Sequence, residues 1–403
     1  MAGFSERLKH VPRSVWTLGF VSMFMDISSE MIHGLLPVFL VTGLGASAAA
    51  LGLIDGIAEA TAAITKVYSG WLSDRLGKRK LLAVIGYGLS ALTKPLFPMA
   101  STVFEVMAAR FFDRVGKGIR GAPRDALVAD VTPAHARGLA YGVRQSIDTV
   151  GAFLGPLIAV GLMWLLADNI RAVFVWAVIP AALAVLLLVV GIREPDRPSA
   201  AAVARQPIRW GRIGAFSPAF WVVVAIGSIF TMARFSEAFL LLRAQGAGLA
   251  IALVPLVLVL MNVVYSLVSG PAGSLSDRVD RRLLLAAGLV VLVIADLTLA
   301  LAQSLAAVLA GVALWGLHMG LTQGVMSAMV ADAAPADARG TAFGVFNLVT
   351  GVLMLASSTL AGGLWSAFGP KTTFVAGAAF AATAGLALVL IRRRSPPDIS
   401  SAP

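Results

Sequence analysis

The segment VADVTPAHARGLAYG at residues 128–142 returns as VADAAPADARGTAFG at 330–344, with ten of fifteen residues identical and an offset of 202, half the length of the 403-residue chain. A second pair agrees: GWLSDRLGKRK from Gly70 to Lys80 is answered by GSLSDRVDRR from Gly273 to Arg282 at an offset of 203. The chain is therefore a duplicated unit. Both repeated segments sit at the ends of long apolar runs, so the unit that was duplicated is a set of membrane helices, and a duplicated set packs about a shared axis where a solute path would lie.

Composition supports a membrane origin for those runs. Hydrophobic residues make up 58% of the chain and charged residues 13%, against roughly a quarter charged in soluble domains. The length accommodates about twelve spans of roughly 20 residues. The sequence predicts spans at 14–41, 48–72, 80–99, 103–130, 138–166 and 171–192, then 216–242, 248–273, 282–302, 305–331, 340–365 and 372–392. The expected fold is all-α and polytopic, with twelve transmembrane helices in two pseudo-symmetric six-helix bundles. Residues 1–192 form the first, 215–403 the second, and 193–214, rich in Pro, Ala and Arg, a cytoplasmic linker.

The net charge of +11 does not point to nucleic acid. Basic residues outside the spans gather on alternate connections: Arg7, Lys9 and Arg13, then Arg75 to Lys80, Arg193 to Arg212, Arg278 to Arg282, and Arg392 to Arg394. The opposite connections 42–50 and 98–103 carry no charge. This is the positive-inside pattern of a protein in the cytoplasmic (inner) membrane with both termini cytoplasmic. The first apolar run contains Asp26 and Glu30 and has no small-residue cleavage site, so it is expected to remain as the first span. There is no cysteine, which removes disulfides, thiolate chemistry and cysteine-held metals.

An ionisable group at the centre of a membrane helix costs roughly 2.5–3.5 kcal/mol even on the lenient insertion scale, yet the predicted spans hold many. Asp26, Glu30 and His33 lie in span 1, Asp55, Glu59 and Lys66 in span 2, and Lys94 in span 3. Span 4 holds Arg110, Asp113, Arg114, Lys117, Arg120, Arg124 and Asp125, and span 5 Arg144 and Asp148. At about 100° per residue, the span 1 trio shares an arc of roughly 60°, and Arg110, Arg114, Lys117 and Arg124 one of roughly 80°. Such stripes must face protein or a wet cavity. They serve either as structural ion pairs or as a site for protons and anions. The second half is sparse, with Arg234, Glu237, Asp296 and His318. Arg114 corresponds there to Gly316, and Asn262 replaces Glu59.

Asp26, Glu30, Glu59 and Glu237 are accordingly the candidate proton-coupling groups, Glu237 because Ser236–Glu237 repeats Ser29–Glu30. Arg110, Arg114, Lys117, His33 and Asn262 are the candidate substrate-binding groups. Glu30 and His33 have the ExxH spacing of some helical metal sites, but one pair is too little to assign a metal. No HExxH, GxSxG or Gly-rich phosphate loop is present, so an enzyme is not expected, nor is a cofactor. The expected partners are a small-molecule substrate, protons and the lipid bilayer, with the chain a monomer.

The run Gly70, Leu72, Ser73, Asp74, Arg75, Gly77, Lys78 and Arg79 resembles the loop 2–3 signature GxLaDrxGrkxx of the major facilitator superfamily, with an echo at Asp277 and Arg278 where Asp280 replaces the second glycine. The resemblance covers the whole chain and implies secondary transport. It assigns Asp74 and Arg75 to locking the cytoplasmic helix ends, with Gly70, Gly77, Asp277 and Arg278 in the same gating role. Gly142, Gly151, Gly155 and Pro156 resemble the span 5 motif of proton-coupled antiporters, with Ala159 and Val160 in place of its last two glycines. Arg114 with Gly118 resembles a span 4 motif tied to proton transfer in exporters. The resemblance thus implies alternating access with proton-coupled efflux of a small organic solute. Proton-coupled uptake or exchange of an anionic solute, such as a carboxylate, a phosphorylated compound or a metal chelate, is the alternative.

Overall fold

In a computed structural model, described for residues 11–133, 136–193, 216–276, 278–334 and 339–392, the protein is an all-α polytopic membrane fold. Asp277, the two termini and all of the 193–214 connection except Arg193 lie outside the described residues, as does the side chain of Asp74. Twelve long helices are described, six on each side of the central connection: α1 (Arg13–Gly43), α2 (Ala48–Leu76), α3 (Arg79–Met99), α4 (Val103–Val131), α5 (Arg137–Leu165) and α6 (Ile170–Gly191), then α7 (Pro218–Gly246), α8 (Ile251–Ser276), α9 (Arg281–Leu301), α10 (Leu305–Ala333), α11 (Arg339–Phe368) and α12 (Pro370–Arg392). Eleven of them are long and apolar enough to cross a membrane. The exception, α4, has the length but carries nine charged residues.

Local chemistry sets the helix ends. Thr102 and Glu105 form a reciprocal capping box at the start of α4, and the Ser304 hydroxyl caps α10 at the equivalent place. Gly77 ends α2 in a left-handed conformation, φ 67°, with its N–H on the Ser73 carbonyl. In the second half Asp280 stands there and instead caps the first turn of α9 through the Arg282 N–H.

Several helices are interrupted. α1 breaks at Gly34–Leu35, just before Pro37, and continues as a π-helical turn, Phe39–Gly43. α3 breaks at Lys94–Pro95, and α7 between Ala233 and Ala238. Proline removes an N–H and clashes with the preceding turn, which accounts for the first two. At the α7 break, the Ser236 hydroxyl accepts the Ala238 N–H and the Ser357 hydroxyl donates to the Arg234 carbonyl.

The chain forms two compact units. One is Met1–Ile213 with Ser236–Val259; the other is Gly214–Phe235 with Leu260–Pro403. In the first, α1 packs on α5 and α6, and α4 on α2 and α3. Three of these pairings recur in the second, where α7 packs on α11 and α12 and α9 on α10; α9 also packs on α12. The apolar centre of the first unit lies between α1, α3, α4 and α6, where Val15, Leu18, Met25, Tyr87, Leu127 and Leu188 are all buried. Large apolar side chains such as Leu92, Trp164, Leu165 and Val190 are strongly exposed, as lipid-facing residues are.

Candidate functional site

The charged stripe of α4 meets the acids of α2. Arg110 Nη2 lies 3.2 Å from Asp55 Oδ1, and Arg114 Nη1 lies 3.3 Å from Glu59 Oε1. Asp55 and Glu59 are one turn apart, as are Arg110 and Arg114, so two rungs form between the helices. The rungs differ in access. Arg110, Asp55 and Arg114 are buried, whereas the Glu59 side chain is 45% exposed. The second oxygen of Asp55 accepts the Ser236 hydroxyl at 2.7 Å, tying the rung to the segment of α7 that belongs to the same unit.

A third pair is deeper. Lys94, almost fully buried, donates to Asp113 Oδ1 at 2.9 Å and to the Ser29 hydroxyl at 3.1 Å, linking α3 to both α4 and α1. Arg120 donates to the Ser90 hydroxyl at 2.6 Å and stacks 4.8 Å from the Tyr87 ring. Arg124 reaches Asp125 at 3.0 Å and the Ser22 hydroxyl at 3.1 Å, so it leaves the α2-facing stripe for α1.

The α1 trio remains accessible. Asp26, Glu30 and His33 are each half-buried, and His33 Nδ1 lies 3.5 Å from Glu30 Oε2. The fields of Lys117 and Arg114 reach both Glu30 and Glu59. Asp26 faces Asp148 on α5. Asp148 also faces Arg144 at 3.7 Å. Lys117 is exposed and makes no ion pair among the described residues. No third metal-ligating side chain joins Glu30 and His33 among the described residues.

The α1–α5 contact is close because of two glycines. A methyl on Gly151 would come within 2.5 Å of the Met23 carbonyl oxygen, and one on Gly155 within 2.7 Å of Glu30 Cβ and 2.9 Å of the Ile27 carbonyl oxygen. Gly155 thus seats Glu30 directly. Pro156 is buried inside α5.

The structure therefore brings Asp26, Glu30, His33, Glu59, Arg110, Arg114 and Lys117 together in one unit. Glu237 is half-buried at the α7 break in that unit, whereas Asn262 falls in the other. Of the residues assigned to gating, Gly70 faces Ala122 of α4, Arg75 stacks 5.4 Å from the Trp71 ring, and Arg278 is exposed. Sequence reasoning named Asp55, Lys94, Asp113 and Asp148 as intramembrane charges without placing them in the site. Their pairing across helices leaves no signal in spacing along one helix. Ser236 could have been found beside Glu237, since it repeats Ser29, and both serines hydrogen-bond a charged group of the network.

The family model described as Major Facilitator Superfamily matches residues 18–268 and 239–403. An uncharacterized MFS-type transporter of Methanocaldococcus jannaschii is 32% identical over 393 residues, covering 96% of this chain and 97% of its own. The quinolone resistance protein NorA of Staphylococcus aureus is 27% identical over 186 residues, 46% of each chain. Among solved structures, a bacterial homolog of the human lysosomal transporter Spinster, in an inward-facing and unoccupied conformation, has a TM-score of 0.77 at 17% identity, covering 96% of this chain and 99% of that one. The nucleoside transporter NupG has a TM-score of 0.78 at 12% identity, covering 94% and 99%.

Proposed function

The chain belongs to the Major Facilitator Superfamily and is a membrane transporter, not an enzyme; from that premise we propose that it exports a small organic solute across the cytoplasmic membrane by alternating access, driven by inward proton movement. It works as a monomer with both termini in the cytoplasm, its halves 1–192 and 215–403 joined by the 193–214 connection.

One observation carries this reading: α1 and α2 present partly exposed carboxylates, Asp26, Glu30 and Glu59, beside the buried Arg110 and Arg114 of α4. A structural ion pair needs no water, but an acid that loads and unloads a proton does. Glu30 is the principal proton group, with Asp26, Glu59 and Glu237 as further acids. Arg114 holds the charge balance of the site and competes with the proton for Glu59. Arg110, His33 and Asn262 contribute polar contacts to the solute. Asp74, Arg75, Asp277 and Arg278 gate the cytoplasmic end, and the α1–α5 seam at Gly151, Gly155 and Pro156 carries the rocking motion. Similarity to a quinolone resistance protein over 46% of the chain supports the direction and suggests a quinolone as probe.

The test is accumulation of a fluorescent quinolone in cells producing the protein. Export predicts low accumulation that rises to the level of control cells when a protonophore collapses the gradient. Unchanged accumulation in energised cells across quinolones and organic cations defeats the reading. Lys117, exposed and without an ion pair among the described residues, favours the second reading, proton-coupled uptake or exchange of an anionic solute. In that case collapse of the gradient lowers accumulation of a labelled carboxylate.

A further inference from the structure

Residues 94 and 296 are separated by 202 positions, the interval of the duplication, and so are 113 and 315. Between α3 and α4 this pair of places holds an ion pair, Lys94 to Asp113 at 2.9 Å. Between α9 and α10 it holds Asp296 and Trp315, with the indole Nε1–H donating to Asp296 Oδ1, also at 2.9 Å. The contact is retained, but the base has been replaced by an acid and the acid by an indole.

Asp296 is completely buried. Its other oxygen, Oδ2, has no hydrogen-bond partner among the described residues and lies against Gly377 of α12, where a methyl group would come within 2.6 Å of it. The ring of Phe235 borders the same glycine. Among the described residues no Lys, Arg or His forms an ion pair with Asp296.

The ionisable groups on the packed elements are few. On α10, one turn from Trp315, His318 binds the Gly288 carbonyl through Nδ1 at 2.8 Å and leaves Nε2 buried, with no partner among the described residues. On α7, the Arg234 guanidinium sits 5.7 Å from the Phe230 ring. On α12, the nearest is Lys371, exposed and six residues from Gly377. Ionised, Asp296 would be a lone charge inside a membrane-embedded bundle, a cost that the single Trp315 N–H lessens but that no counter-ion among the described residues offsets. As a neutral acid it keeps the indole hydrogen bond and carries its hydrogen on Oδ2.

We propose that Asp296 is a proton-carrying site of the second half, sealed against Trp315 in the state described and opened to water in another state of the transport cycle. When water reaches it, the Oδ2–H bond breaks, the proton passes to water, and the carboxylate that remains still accepts the Trp315 N–H. This rests on the proton-coupled reading above and adds a site to it.

Infrared difference spectroscopy on the purified full-length protein in lipid vesicles tests the proposal without a substrate. The expected result is a protonated-carboxyl carbonyl band that is lost in Asp296→Asn, moved in Trp315→Phe, and shifted down as the buried proton exchanges in deuterium oxide. Asp296→Asn preserves the acceptor for Trp315, and Asp296→Glu should retain a shifted band, which separates loss of the acid from loss of the fold. The proposal is overturned if no band responds to Asp296→Asn, or if the band stays unshifted in deuterium oxide over hours, which would make the proton a fixed part of the structure. Either failure leaves the transport reading standing, because Glu30 carries it independently. A failure of the quinolone experiment overturns that reading without altering the spectra.

Discussion

Arg79 at the start of α3 pairs with Asp130 near the end of α4 at 3.1 Å, and the repeat carries the same pair 202 residues on as Arg281 with Asp332. Both pairs join the first turn of one helix to the last turn of the next. Ion pairs of this kind, open to solvent on one side, contribute roughly 0.2–1 kcal/mol. The Arg79–Asp130 side chains are 14% and 22% exposed, against 28% and 67% for Arg281–Asp332. Arg79→Ala should therefore lower the thermal midpoint of the purified protein more than Arg281→Ala does, with each effect shrinking in high salt. Equal losses that salt does not change would show that the pairs act through something other than charge.

Lys94→Met should be costly. It strips the cation from a buried carboxylate, Asp113, and breaking one partner of a buried pair typically costs about 3–5 kcal/mol. Removing both charges, Lys94→Met with Asp113→Leu, should recover much of the loss. Denaturant or thermal unfolding of the three proteins reads this out, and a double variant no better than the single one would refute it.

Gly155→Ala places a methyl against Glu30 Cβ and the Ile27 carbonyl oxygen. Overpacking of this kind costs about 1–3 kcal/mol. Its larger effect should be on transport, since it displaces the carboxylate proposed to carry the proton. Gly161→Ala on the same helix meets nothing within 4 Å and serves as the control. Normal transport by Gly155→Ala would mean that the position of Glu30 is not critical.

Arg114→Ala should abolish transport while expression is preserved, because Glu59, the partner it leaves behind, is partly exposed and can be hydrated. Glu30→Gln should lose gradient-driven transport yet retain exchange of solute down its own gradient. Full uphill activity in Glu30→Gln would rule it out as the coupling acid. Both are measured in proteoliposomes with an imposed pH gradient.

The duplication made much of this legible. α3 and α9, α4 and α10, and α5 and α11 all begin 202 residues apart, the interval read from 128–142 and 330–344. The arcs likewise grouped Glu30 with His33 on α1 and Arg110 with Arg114 on α4, but not Arg124. Periodicity could not say which acid meets which base, because that depends on helix rotation and on contacts between distant segments. Asp113 lies off the Arg110–Arg114 stripe and turns to Lys94, and Arg124 turns to Ser22. The breaks in α1 and α7 do not show in the predicted spans: apolar content continues through the first, and the second, Arg234 to Glu237, is a short polar interruption between two apolar runs. Pro37 marks the first, but the second has neither proline nor glycine, and its freed backbone groups are met by the local Ser236 hydroxyl and, from distant sequence, by Ser357.

The helix richest in charge also has little room to move. A methyl on Gly116 would meet the Ser90 hydroxyl at 2.6 Å and the Gly86 carbonyl oxygen at 2.7 Å; one on Gly118 would meet Thr65 Cβ at 2.5 Å and the Ala62 carbonyl oxygen at 2.9 Å. Backbones this close leave α4 neither sliding nor rolling against α3 and α2 without a repacking of all three. Diversification of cargo among descendants of this chain is thereby channelled: α1 and α2 can trade side chains one at a time, while the row of bases opposite them stays in a fixed register.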